Sequence, residues 1–298
     1  MPLVPDFGGK TGRLIADHFM ITDYHIHTPY CGHAQGTILE YIESAIRIGL
    51  PEIGFSDHLG RYYLSPSQKR RYWDWGMDER LLDRYWDELA DLQDVYKGRI
   101  TIRIGLEIDY IEGAEELLKP FFARHPWDFA LASIHCLPEF GWRHLSEISH
   151  GEPGEVFERY FEAAQSALES GLFSALAHPD FIWRYVKWPR QQTAMVFEWI
   201  DTMVRAAGRA GRAIEINVNG WLWSQLYQVR GGDPFDLLLS KIRQYDVPIT
   251  LGSDAHAPQH VAKEFPRLIS YLQQHGINQV ATFIKMDRHM VPLGQRTA

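Results

Sequence analysis

The chain has 298 residues, 45% of them hydrophobic and 23% charged, enough to bury a large core, and no stretch approaches the roughly 18–20 apolar residues that span a bilayer. A formal net charge of -8 and a pI near 5.9 argue against a binder of nucleic-acid backbone, whose footprint is normally basic. Two cysteines, Cys31 and Cys136, exclude a disulfide framework and place the expected home in a reducing cytoplasm.

The opening MPLVPDFGGKTGRLIADHF lacks the apolar run of a signal peptide and reads as a leader of about 20 residues before a single domain. ITDYHIH (Ile21 to His27) is predicted as a short buried strand. TILEYIESAIRIGL (Thr37 to Leu50) has the apolar period of an amphipathic helix. The unit then repeats, with PEIGFSDH as a strand and MDERLLDRYWDELADLQDVY as a helix whose acidic opening suits its dipole. RITIRIGLEIDY and GAEELLKPFFAR follow as strand and helix, despite the internal Pro120. WDFALASIH, FSALAH, RAIEINV and VPITLGSD complete the strands, separated by helical stretches such as EVFERYFEAAQSALES. Such alternation requires a parallel sheet with crossover helices, and about seven units favour a closed α/β barrel over an open sheet.

Nearly every expected strand ends in a potential metal ligand. The first carries His25 and His27, with His33 just beyond it, the second ends in Asp57 and His58, and the third carries Glu107. His135, His178 and the pair Asp254 and His256 close later ones. In a parallel barrel the C-terminal strand ends open on one face, so these groups are expected to converge there. Side chains two apart on a strand point the same way, which lets His25 and His27 grip one ion, and Asp254 and His256 share the spacing. Imidazole and carboxylate together suit Zn, Fe, Mn or Ni, and Glu107 is the natural bridge between two ions. His18, His125, His144, His150, His260, His275 and His289 fall outside the pattern and read as surface or structural, and both cysteines read as packing residues.

DYHIHTPYCGHAQGT, GFSDH, GLEIDY, ASIHCLP, ALAHPD and LGSDAHAP, in this order from about Asp23 to Ala257, resemble the PHP (polymerase and histidinol phosphatase) family, most closely its histidinol-phosphatase branch. The resemblance implies a single distorted (β/α)7 barrel and a site for two to three divalent transition-metal ions, Zn, Fe or Mn. Carried over by motif, His25, His27, Glu107 and Asp254 would hold the first ion, Glu107, His135 and His178 the second, and His33, His58 and His256 the third. The implied chemistry is attack of metal-activated hydroxide on the phosphorus of a small phosphorylated metabolite, histidinol phosphate being the first substrate to try. Asp254 and His256, at the site edge, are the candidates for assisting the leaving alkoxide.

One departure matters. The branch usually carries N-T-[SA]-G-L-R after the sixth strand, where this chain reads INVNGWLWSQ, without the arginine. Arg184 in HPDFIWRY is the candidate replacement for binding phosphate, Asp180 a candidate supporting residue, and Trp221 and Trp223 candidate walls for a flat group. Competing readings are a phosphatase or phosphodiesterase acting on a nucleotide or other small phosphorylated metabolite, an amidohydrolase-type barrel that also opens with H-x-H, and a metal-binding module without activity.

Overall fold

Seven parallel strands form one sheet: β1 (Thr22–Asp23), β2 (Glu52–Leu59), β3 (Thr101–Asp109), β4 (Phe129–Ser133), β7 (Ala175–Leu176), β8 (Ala213–Asn217) and β9 (Ile249–Gly252), hydrogen-bonded in that order. Just past β1 and β9 the edges meet: the Tyr24 N–H donates to the Leu251 carbonyl at 3.0 Å, the His27 N–H to Ala255 at 3.0 Å, and the Ala255 N–H to His25 at 3.1 Å. The sheet thereby closes into the expected nearly complete (β/α)7 barrel. The structure, a computed structural model, describes residues 21–148, 152–226, 229 and 231–294; the leader expected from the sequence lies outside them.

The crossover helices are α1 (Ile38–Arg47), α3 (Leu82–Val95), α4 (Glu115–Phe122), α5 (Pro153–Glu169), α7 (Thr193–Ala210) and α9 (Pro234–Gln244), with short α2 (Pro66–Arg71) in the aromatic loop after β2 and α10 (Phe265–Gln274) after β9. Local sequence fixes their ends. Thr37 and Glu40 form a reciprocal capping box at the start of α1, Pro153 occupies the first turn of α5, and Gly211 ends α7 in a left-handed conformation. Among the described residues no helix is long and apolar enough to cross a membrane.

Alternation along the strands separates two cores. Ile102, Ile104, Leu106 and Ile108 of β3 pack outward with Ile214, Ile216, Ile249 and Leu251 in the layer shared with the helices. The opposite faces point into the barrel, where Tyr24, Phe129, Leu131, Ala175, Ala213 and Phe283 form a separate apolar plug. Phe283 comes from an antiparallel hairpin, β10 (Gln279–Ile284) and β11 (Asp287–Pro292). The ring centroids of Tyr24 and Phe129 lie 4.8 Å apart, edge to face. A Cβ on Gly105 would fall 2.6 Å from the Phe129 ring, so β3 needs a glycine where the ring crosses it. Above this plug the inward positions become polar.

Candidate metal centre

Toward the C-terminal ends of the strands, the inward positions of β3 are Glu107 and Asp109, and that of β8 is Glu215, all buried. Parallel register sets His58 opposite Glu107 and Asp109 opposite Ser133. His25 and His27 follow β1, His135 follows β4, His178 follows β7, and Asp254 and His256 follow β9. His178 and Asp254 hold left-handed backbone, with φ of 24° and 55°. Such conformations are rare for residues with a Cβ and gather at functional sites.

The side chains converge in overlapping groups. His25 Nε2 lies 3.1 Å from His27 Nε2 and 3.4 Å from Glu107, and His27 Nε2 lies 3.3 Å from Asp254. Glu107 Oε1 is 2.8 Å from His178 Nε2 and 3.4 Å from His135 Nε2. His25, His27 and Asp254 thus meet at one point, and His25, Glu107 and His178 at another, with donor atoms within 4.8 Å of each other. His58 goes elsewhere: its Nε2 and the Nδ1 of His135 approach Asp109 Oδ1 at 2.8 and 2.7 Å. The His33 and His256 rings stack 5.0 Å apart, while His33 and His58 are separated by 6.3 Å.

Hydrogen bonds fix several tautomers. His25 Nδ1 is 2.7 Å from the Glu215 carboxylate, His33 Nδ1 is 2.8 Å from the Asp74 carbonyl, and His256 Nδ1 is 2.9 Å from the Asp254 carbonyl. Those oxygens can only accept, so each Nδ1 carries a proton and, in the neutral ring, each Nε2 presents a lone pair. Gly252 permits the first contact, because a Cβ there would fall 1.7 Å from Glu215 Oε1. The other Glu215 oxygen accepts the His178 backbone N–H at 2.6 Å. Asp23 accepts from the Ser253 and Ala262 N–H groups, each at 2.9 Å, and so anchors the loop that carries Asp254.

Burial alone would lower the His25 imidazole, but the Glu215, Glu107 and Asp254 carboxylates outweigh it and raise the ring well above its usual value. Burial likewise opposes the charge on Glu107, and His25 and His135 then hold it well below the carboxylate range. His33 and His256 are pushed down to about 4 and about 3, by burial and then by His27. Buried carboxylates that demand positive charge, beside imidazoles that present lone pairs, are a donor set suited to divalent cations. Burial also pushes the Cys31 and Cys136 thiols up, which keeps them protonated; the Cys31 thiol donates to the Thr28 carbonyl.

Residues 23–219 match the PHP domain family. The chain belongs to that family. It is 30% identical over 261 residues to a probable histidinol-phosphatase of Deinococcus radiodurans, covering 86% of this chain and 94% of that one, and 27% identical to the histidinol-phosphatase of Bacillus subtilis, covering 78% and 92%. The histidinol phosphate phosphatase of Lactococcus lactis, crystallised with zinc, L-histidinol and phosphate, superposes with a TM-score of 0.74 at 22% identity, covering 90% of this chain and 98% of that one. This PHP chain is therefore histidinol-phosphatase-like, as its motifs suggest, and its barrel is the one that the resemblance implied.

Sequence reasoning missed Glu215 and Asp109 as parts of this PHP site. Both left a trace: an acid in the otherwise apolar strand AIEIN, and an acid two positions after Glu107 on the same strand face. Asp109 Oδ2 accepts from Tyr63 Oη at 2.9 Å and Trp75 Nε1 at 2.8 Å, so the aromatic loop holds the carboxylate that holds His58 and His135. Arg184, on α6 (Phe181–Tyr185), lies over the Phe181 ring at 4.9 Å with Nε 3.1 Å from buried Asp180. Burial opposes its charge, and Asp180 and then Asp254 outweigh that. Trp221 is not a cavity wall. It sits on α8 (Val218–Leu226), buried against Tyr271 of α10 at 5.8 Å, because the chain turns into a helix immediately after β8. Of the two readings left open for His144, surface or structural, the packing favours the second: its half-buried ring lies against Phe181 and Trp75.

Proposed function

We propose that this PHP chain hydrolyses phosphomonoesters of small metabolites, with L-histidinol phosphate as the first substrate. The observation that carries the reading is the convergence of His25, His27, Glu107, His178 and Asp254 on shared points, in a chain whose relatives include histidinol-phosphatases. We assign the first ion to His25, His27, Glu107 and Asp254, the second to Glu107, His135 and His178, and the third to His33 and His256 with His58, two to three per chain, with Zn, Fe or Mn as candidates. Zinc in the Lactococcus lactis enzyme supports this.

When bound, such ions supply positive charge for phosphoryl oxygens and make hydroxide available near neutral pH. The rest falls to the chain's own side chains. Glu215 orients His25, the Asp74 and Asp254 carbonyls orient His33 and His256, and Asp109 orients His135, so the ligands need little rearrangement. We assign Asp254, at the rim, together with His256, to assisting the departing alkoxide. Arg184 is the cation nearest in role to the arginine absent from the NVNGW segment, and we assign it to the substrate phosphate.

A panel of phosphomonoesters and diesters, run separately with Zn, Mn and Fe beside elemental analysis, tests this. The expected result is monoester turnover with two to three ions per chain, and an Arg184→Ala variant whose KM rises about tenfold while kcat falls less. Efficient diester cleavage with little monoester activity, or fewer than one ion per chain after loading, would overturn the reading.

A further inference from the structure

His25, His33 and His256 each spend the Nδ1 proton on an oxygen, which in the neutral ring leaves the lone pair on Nε2. His144 is wired the opposite way. It lies on β6 (Arg143–His144), which pairs with β5 (Cys136–Leu137) directly after His135. Its Nδ1 accepts the Ser146 backbone N–H at 3.1 Å, a donor that cannot rotate away, and lies 2.6 Å from Ser146 Oγ. A ring nitrogen that accepts carries no proton, so the neutral ring holds its hydrogen on Nε2. Among the described residues no hydrogen bond to that Nε2 is formed.

The surroundings favour a neutral ring. Trp75, Phe181 and Tyr185 stand edge to face with His144 at centroid distances of 5.4, 5.4 and 5.3 Å, and His135 lies stacked at 6.2 Å. The same Phe181 ring that faces His144 also carries the Arg184 guanidinium. A fixed N–H donor and a cation therefore flank one aromatic ring, next to a metal-ligand histidine.

We propose that His144 contacts substrate, its neutral Nε2–H donating a hydrogen bond to a phosphoryl oxygen beside Arg184. This rests on the phosphatase reading above. The donor complements the lone-pair histidines: they suit cations, and it suits the anion that cations attract. Because the Ser146 N–H selects the tautomer, the donor is present without protonation of the ring.

The test uses metal-loaded full-length protein, inorganic phosphate as the probe, and two variants. His144→Phe keeps a ring but removes the donor, and His144→Gln places an amide N–H near the position of Nε2. By titration calorimetry, with metal content measured in each sample, phosphate affinity is expected to fall about tenfold in the Phe variant, as for one hydrogen bond to a charged acceptor. The Gln variant should remain within about threefold of the wild type. Nitrogen-15 spectra of histidine-labelled protein, assigned by the signals that vanish in the Gln variant, should show the Nε2–H tautomer at pH 7. Unchanged phosphate affinity in the Phe variant at equal metal content, or an Nδ1–H or doubly protonated His144, overturns the proposal while leaving wild-type monoester turnover intact. A wild-type protein that neither binds phosphate nor turns over any monoester overturns both readings together.

Discussion

The lower and upper halves of the barrel interior are lined by the same seven strands and the same two-residue alternation, yet they are opposite materials. Below, Tyr24, Phe129 and Phe283 fill the space and small residues such as Gly105, Ala175 and Ala213 make room for the rings. Above, on the same inward faces, stand Glu107, Asp109, Glu215 and His135, all buried. The lower half is held by apolar burial and ring packing. The upper half gathers groups that repel or desolvate one another unless cations or protons balance them. Stability and chemistry are thus stacked along one axis: the plug keeps the strands in the register that the site requires.

If the division is real, damage to each half should be read out differently. The largest effect is expected for Phe129→Ala, which empties the centre of the plug and should cost about 3–5 kcal/mol of unfolding free energy. Denaturant melts would measure this, and metal content per folded chain should hardly change. A variant that folds as well as the wild type but loses metal would erase the distinction.

Glu107→Gln acts on the other half. It retains volume while removing the carboxylate shared by His25, His135 and His178, and turnover should fall about 10²-fold or more, equivalent to about 2.7 kcal/mol. Steady-state kinetics on the metal-loaded variant decide this, with thermal stability close to wild type. Near-normal turnover with metal retained would show that Glu107 is no bridge.

The smallest effect sharpens the boundary within the upper half. Glu215→Gln leaves a hydrogen-bond acceptor for His25 Nδ1 but removes its charge, and metal affinity should fall about 10-fold or somewhat more, toward the low end for such supporting carboxylates. Competition with a chromophoric chelator would measure it. An unchanged affinity would mean that Glu215 serves the backbone of His178 alone.

Much of the site was legible in the sequence because its donors sit at strand ends and strand ends are local features. The spacing of His25 and His27, the acid of GLEIDY, and the ends ASIH, ALAH and LGSDAH each mark one position on a wall, and seven alternating units require that the walls meet. Grouping was less legible. The carboxylate that His58 Nε2 meets, Asp109, stands on the neighbouring strand, and which strand neighbours share a ring depends on register. Trp221 was expected at the cavity and lies under α10, since nothing local in NVNGW shows that a helix begins at Val218.

The amino-acid order by itself therefore determined the seven βα units, the family and the wall positions of nine candidate ligands, His25, His27, His33, His58, Glu107, His135, His178, Asp254 and His256, since periodicity and motif are carried by neighbours along the chain. Only the tertiary structure decided what those ligands lean on. His25 meets Glu215 across 190 positions, and Asp109 meets Trp75 across 34. The tautomer of His144 depends on an N–H only two residues away, but the rings that enclose it come from the aromatic loop and α6. A hydrogen bond is made between atoms within about 3 Å, and barrel closure, which no segment contains by itself, is what brings such distant atoms to that distance.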